Sequence, residues 1–304
     1  MRQTRRNVLA ISLLLIVIVL TGCVASSLDQ AKLQYEKALL AEYPLPYYKA
    51  ALEELDAVLS RDPNNYQAYA IKGIIYRNLQ DFEQASKNLD IAKQGTFGAR
   101  ELWVPTLVNL TYGDIFHGRA SEAARSGDWT QAKSYQETSI EFFNNVITSS
   151  FQNMDVASTG DTYGASMRSL YVSAQIRWAA AKFQMAAIAS KLESKQRQEE
   201  ILREVTTRLT SVLEAFPDAT SLRYYLAEGY RKQALTIRQT DPAESTRLQE
   251  MAMSQLRACG EMKLPRELQN QAAQLFNVLS KGAEPEIEQK ILGASATSES
   301  ETAE

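Results

Sequence analysis

The sequence predicts an all-α chain built of antiparallel helical hairpins, and three observations carry that prediction. Tyr48, Ala51, Leu55 and Val58 recur thirty-four residues later as Phe82, Ala85, Leu89 and Ala92, an aromatic, a small residue and two apolar residues at helical spacing. The 13 glycines and 8 prolines are few for 304 residues and fall between apolar runs, where they punctuate helices rather than interrupt them. Between Asp161 and Leu192, Tyr163, Met167, Leu170, Ala174, Trp178, Ala181, Met185, Ile188 and Leu192 step by three or four without a break. A helix with one apolar stripe cannot bury it alone. A recurrence of this length therefore implies paired helices stacked on one another. Where their backbones approach to about 8–10 Å, small residues are required, and Gly73 and Ala85 fall at such places.

In chain order, Ala31–Tyr43 reads as a helix with Leu33, Tyr35, Ala38 and Leu39 as its apolar candidates, ended by Tyr43-Pro44-Leu45-Pro46. The helix around Tyr48 follows. Asp62-Pro63-Asn64-Asn65 is a turn that caps the next helix. Asp81 and Gln84 form a capping-box pattern that opens another. The same word returns as Asp128-Trp129-Thr130-Gln131-Ala132, forty-seven residues on, so the Glu101–Ser126 helix and its partner make a stretched hairpin. Ser149–Asp161 reads as a polar loop, and the long helix follows it. Leu209 and Val212 precede Pro217 as Leu55 and Val58 precede Pro63, and Leu226, Ala227 and Tyr230 repeat the large, small and aromatic order. Ala243–Met262 and Arg266–Ser280 complete the helices, and Pro285–Leu292 reads as a short further turn. The last twelve residues, GASATSESETAE, have nothing to bury and read as a disordered acidic tail.

Residues 48–94, and less closely 205–262, resemble the tetratricopeptide repeat (TPR). The resemblance is loose over 101–148 and absent over 161–192, and Lys72 stands where the family prefers leucine. It implies a TPR-like right-handed α-solenoid, irregular in the middle, with one long helix. In that family the first helix of each hairpin lines a concave face that holds a protein or peptide partner. Carried over position by position, that face comprises Gln67, Ala70, Ile74 and Arg77, then His117, then Tyr224, Glu228, Arg231 and Lys232. The branch that clamps a chaperone tail uses lysine and asparagine where Ala70 and Ile74 stand here, so that activity is not carried over. Ile74, Tyr224 and Arg231 suit a partly apolar peptide or helix laid in a groove.

The amino end carries a second resemblance. Arg2, Arg5 and Arg6 precede the apolar run Val8–Leu20, followed at once by Leu20-Thr21-Gly22-Cys23. The run is too short for the roughly 20 residues of a spanning helix. The arrangement resembles a bacterial lipoprotein leader with its lipobox. That implies diacylglyceryl transfer to the Cys23 thiol and cleavage before it, and Val24 rather than aspartate favours the outer membrane. The expected organisation is a leader over 1–22, a tether over 23–30, a helical domain over 31–292 and the tail over 293–304. Loss of the leader's three arginines takes the formal charge from −3 to −6.

Several classes of chemistry are excluded by counting. His117 is the one histidine and Cys259 the one cysteine besides Cys23, so neither a His-rich zinc site nor an internal disulfide is expected. There is no G-x-S-x-G, Walker loop, G-x-G-x-x-G or C-x-x-C, and no basic block beyond the leader. No catalytic residue, cofactor or nucleic-acid partner is expected. The expectation is a membrane-anchored scaffold for protein partners in the cell envelope. The alternative is a periplasmic small-ligand or lipid carrier, because the T-component of TRAP transporters also joins a lipobox to degenerate TPR hairpins and long helices.

Overall fold

The computed structural model describes residues 27–98, 101–154, 162–262 and 264–281. Among them every regular element is a helix, and the helices form a series of antiparallel hairpins. The leader, Cys23 and the acidic tail lie outside the described residues. The sequence suggests one helical domain over 31–292, and the helices fall into two compact units, one ending at Tyr112 and the other beginning at Gly113.

The first unit holds α1 (Ser27–Leu40), α2 (Leu45–Arg61), α3 (Tyr66–Asn78), α4 (Phe82–Ala92) and the opening turns of α5 (Trp103–Arg125). The tether is expected to reach Gln30, whereas Ser27–Gln30 already form the first turn of α1. The buried face of α1 is Ala31, Tyr35 and Ala38, packed on Tyr48, Ala51 and Leu55 of α2, whereas Leu33 and Leu39 point to solvent. The small residues at i and i+7 let α1 lie close to α2, and the two leucines fall off that stripe. Helices α2 and α3 are antiparallel. Asn78 Nδ2 donates to the Tyr48 hydroxyl at 3.0 Å at one end, and Lys72 pairs with Asp56 toward the other. The Lys72 side chain is largely covered while its ammonium reaches this carboxylate on α2. Asn65 caps α3, accepting from Ala68 N at 3.1 Å. Gly73 is needed for closeness, since a Cβ there would meet Leu89 of α4 at 2.6 Å.

The second unit contains the rest of α5 together with α6 (Trp129–Gln152), α7 (Thr162–Leu192), α8 (Lys195–Ala215), α9 (Ser221–Ile237), α10 (Pro242–Gly260) and α11 (Arg266–Lys281). Neighbours in sequence run in opposite directions. Ser139 Oγ of α6 donates to Gly113 O of α5 at 2.8 Å, and a Cβ on Gly113 would lie 2.6 Å from Phe143 Cδ1. Lys133 meets Glu193 at 2.8 Å at one end of the α6–α7 pair, and Phe151 meets Tyr171 at the other. Helices one further apart run in the same direction. On α5 and α7, Asp114 meets Arg177 at 2.9 Å and Ser121 meets Gln184 at 3.1 Å, both pairs sixty-three residues apart. Alternating neighbours with parallel next-neighbours are what stacked hairpins require.

The long helix α7 is a spine. Met167, Ala174, Trp178, Ala181, Met185 and Ile188 are buried, and so are Tyr171, Gln175, Ala179, Ala186 and Ala189 beside them. It is covered by more than one neighbour, while Leu192 at its end is exposed. The loop expected from Ser149 begins later: α6 continues to Gln152, and Asn153 Nδ2 donates to Ser149 O at 2.7 Å to close it. Residues 155–161 lie outside the described set.

The shared Asp-aromatic-x-Gln-Ala word builds the same turn twice. Asp81 N donates to Tyr76 O at 2.9 Å and Asp128 N to Ala123 O at 2.9 Å, the six-to-one bond of a Schellman turn. The aspartates then cap α4 and α6, accepting from Gln84 N at 3.0 Å and Gln131 N at 2.9 Å. The residue before each aspartate is left-handed, Gly127 at φ 83° and Gln80 at φ 59°. A side chain there is disfavoured by about 1 kcal/mol. Gln80→Gly is therefore expected to raise stability and Gly127→Ala to lower it, each by about 1 kcal/mol. Urea midpoints of the two variants check this, and shifts of the same sign would contradict it.

Candidate partner-binding surface

The structure distributes the sequence-derived concave residues unevenly. In the first unit, Ile74 is 3 % exposed and Ala70 is buried, so neither is open surface. The reason is that α3 buries Ala68, Ala70, Ile71, Gly73, Ile74 and Ile75, which at 100° per residue cover about 220° of its circumference. Gln67 is half-buried, and its Nε2 donates to Glu101 Oε1 at 2.7 Å, while Glu101 Oε2 accepts from Gly98 N at 3.2 Å. Gln67 thus holds the segment leading into α5. Arg77 lies half-buried in the last turn of α3.

In the second unit His117 is part of an interior polar seam. Its Nδ1 lies 3.2 Å from Oε1 of Gln136, a residue with no exposed surface. Its carbonyl accepts from Ser121 Oγ at 3.0 Å. Burial lowers the imidazole pKa below its ordinary value, against the opposing pull of Gln136 and Asp114. A group so placed fixes the α5–α6 pairing and stays neutral.

On α9, Glu228 accepts from Arg231 in a fork of two 2.8 Å bonds and meets Lys232 at 3.2 Å. Arg231 is only 8 % exposed, so its charge is spent inside the chain rather than offered to a partner. Burial raises the Glu228 carboxyl, but its bonds and charges from Arg231 and Lys232 outweigh that and hold it below the ordinary carboxylate range. Tyr224 is half-buried with its ring edge-on to Tyr225, centroids 5.3 Å apart. Burial first, and the Glu228 charge next, push its phenol well above the ordinary value, so it is a neutral hydrogen-bonding ring. Of the expected face, Tyr224 and Lys232 keep accessible side-chain surface on α9, and Ile74 and Arg231 do not.

Two features escaped the sequence. Among the described residues the large exposed apolar side chains concentrate at the α1–α2 turn: Leu40 is 90 % exposed and Tyr43 73 %, with Leu39, Leu45 and Tyr47 beside them. The other is a half-buried cation. Arg208 stands on the apolar stripe of α8, in step with Ile201, Val205 and Val212, and that interruption was the available signal. Cys259 is buried, and burial pushes its thiol up against the opposing charge of Arg223. Among the described residues no group of three or more His, Cys, Asp or Glu side chains is placed to hold a metal ion. No described helix is long and apolar enough to cross a membrane.

No protein-family model matches the chain, and neither does any curated protein. Among solved structures it is similar to a crystal structure of the P58(IPK) TPR domain, over 85 % of this chain and 99 % of that one, at 11 % identity and a TM-score of 0.21. A score that low carries no argument, and the hairpins described above carry the fold.

Linkage gives a test of the α9 network. A carboxylate held below its unfolded pKa adds stability above that value, and the stability is lost as the pH falls through the folded one. Glu228→Gln is expected to cost about 2 kcal/mol at pH 7, and the difference from the parent chain should shrink as the pH is taken below 4.5. Denaturation midpoints measured across that window decide it. A difference that is constant with pH would show that Glu228 is not charged and paired.

Proposed function

We propose that this protein is a lipid-anchored scaffold of the bacterial cell envelope, held by acylated Cys23 on the periplasmic face of the outer membrane and binding a protein partner. The observation that carries the binding half is the exposed apolar cluster at the α1–α2 turn. Contiguous large apolar residues left open on a folded chain mark an interaction site, and this cluster holds Leu40 and Tyr43. The stacked hairpins add a second surface on α9 around Tyr224. The anchoring half rests on the Arg2–Cys23 pattern. One acyl chain binds a membrane only marginally, and two or three fix a protein there. The carrier reading takes its support from an open groove of about 430 Å³ in the second unit. Recognition by shape and apolar contact needs no catalytic group, so the reading involves no enzyme activity.

Two experiments test these halves separately. Cys23→Ser should abolish labelling by a fatty-acid probe and release the chain from membranes, and a variant that keeps its label would contradict the anchor. A photocrosslinking amino acid at Tyr43 or Tyr224, in intact cells, should give discrete adducts with one defined protein. No protein adduct from either position would contradict the scaffold.

A further inference from the structure

The second unit contains a groove of about 430 Å³ between α6, α7 and α8, within the range of small-molecule sites. Three rings form its apolar wall. Phe151 and Tyr171 have centroids 5.7 Å apart, and Tyr171 and Phe216 5.4 Å. Phe151 at the lip is 56 % exposed, so an apolar body laid on it would gain cover that the chain does not supply.

The polar end of the groove is Arg208. Its Nε donates to Gln175 Oε1 at 3.0 Å and its Nη1 to Asn144 Oδ1 at 3.1 Å. Its guanidinium stacks 4.1 Å from the Trp178 ring. All of these partners are neutral. Among the described residues no carboxylate pairs with Arg208, and Glu204, one turn earlier on α8, is held by Lys182 at 2.7 Å. The other arginine near these rings, Arg168, is paired with Asp218. A partly buried cation whose hydrogen-bond partners are all neutral, and which feels Glu204 only as a charge that Lys182 already holds, is under-balanced. With two of its five N–H groups committed, the planar fork keeps donors for a two-oxygen acceptor. Gln175, which also lines the groove, gives its oxygen to Arg208.

We propose that this groove binds a small organic acid with one carboxylate and a flat aromatic body, the carboxylate on Arg208 and Gln175 and the body along Phe151, Tyr171 and Phe216. One guanidinium balances one negative charge. Rings at these tilts favour edge and offset contacts with another ring. The site is independent of the lipid anchor and of the protein partner, so crosslinking can fail while this binding holds, and the reverse.

The test is calorimetric titration of the full chain in non-ionic detergent with 2-naphthoate and, in parallel, its neutral counterpart 2-naphthylmethanol, with empty micelles as blank. The acid is expected to bind at least tenfold more tightly than the alcohol. Arg208→Gln should remove that preference, and Arg208→Lys should keep part of it. Arg208 also ties α8 to α6 and α7, so Phe151→Ala provides a variant that leaves the interior intact, and it should weaken the acid several-fold. If Arg208→Gln does not fold, Phe151→Ala decides alone. Equal affinity for acid and alcohol, heat from micelles only, or unchanged acid affinity in the folded variants would overturn the assignment.

Discussion

Leu89 seats on Gly73 in one hairpin and Phe143 on Gly113 in another, each where a single added carbon would collide. Much of the architecture follows from that closeness. An amphipathic helix pair gains its apolar burial only if the two backbones come near enough for the stripes to interdigitate. Once they do, polar groups along the seams lose much of their access to water, and several pair with one another. Ser139 finds the Gly113 carbonyl, and His117 finds Gln136. Between α5 and α7, pairs sixty-three residues apart set a single register. Apolar packing provides the attraction, and the seams choose among slides that packing alone would tolerate.

The same logic explains why several residues expected on an open face are turned inward. Charges at Glu228 and Arg231 neutralise each other within one helical turn, 2.8 Å apart, and so offer little to a partner. Two surfaces have needs the chain does not fully meet by itself: the exposed leucines and tyrosines of the α1–α2 turn, and the groove where the hydrogen-bond partners of Arg208 are neutral. One calls for apolar cover and the other for a negative charge. They are different kinds of demand and need not be met by the same molecule.

Helix positions were legible because their punctuation is chemical. Asp81, Asp128 and Asp241 each accept from the backbone three residues on, as side-chain caps do. The core stripe of α7 was legible because its period runs unbroken. What periodicity could not reveal is how many neighbours a helix has. It marks a stripe on α3 but not that burial extends past it to Ile74, and it counts Leu33 and Leu39 as apolar without knowing that Ala31 and Ala38 take the contact. The groove was illegible for a related reason. Its Arg208, Gln175 and Phe151 come from three helices, and no local spacing joins them. The end of α6 was misjudged because Ser149, Ser150 and Gln152 are polar, whereas the helix there is carried on by buried Ser150 bonding to Val146 O at 2.6 Å.

The central claim is that in the second unit helices one apart in the series are antiparallel and helices two apart are parallel. It is tested most directly on α5 and α7, in a Cys23→Ser, Cys259→Ala background. Cysteines at positions 114 and 177, or at 121 and 184, should be joined within one chain by a short bis-maleimide, because Asp114 faces Arg177 and Ser121 faces Gln184. The crossed pairs, 114 with 184 and 121 with 177, are displaced by seven residues, about 10 Å along the helix, and should not be joined. Efficient linking of the crossed pairs in place of the direct ones would mean that α5 and α7 run in opposite directions, and the stack of hairpins described here would be wrong.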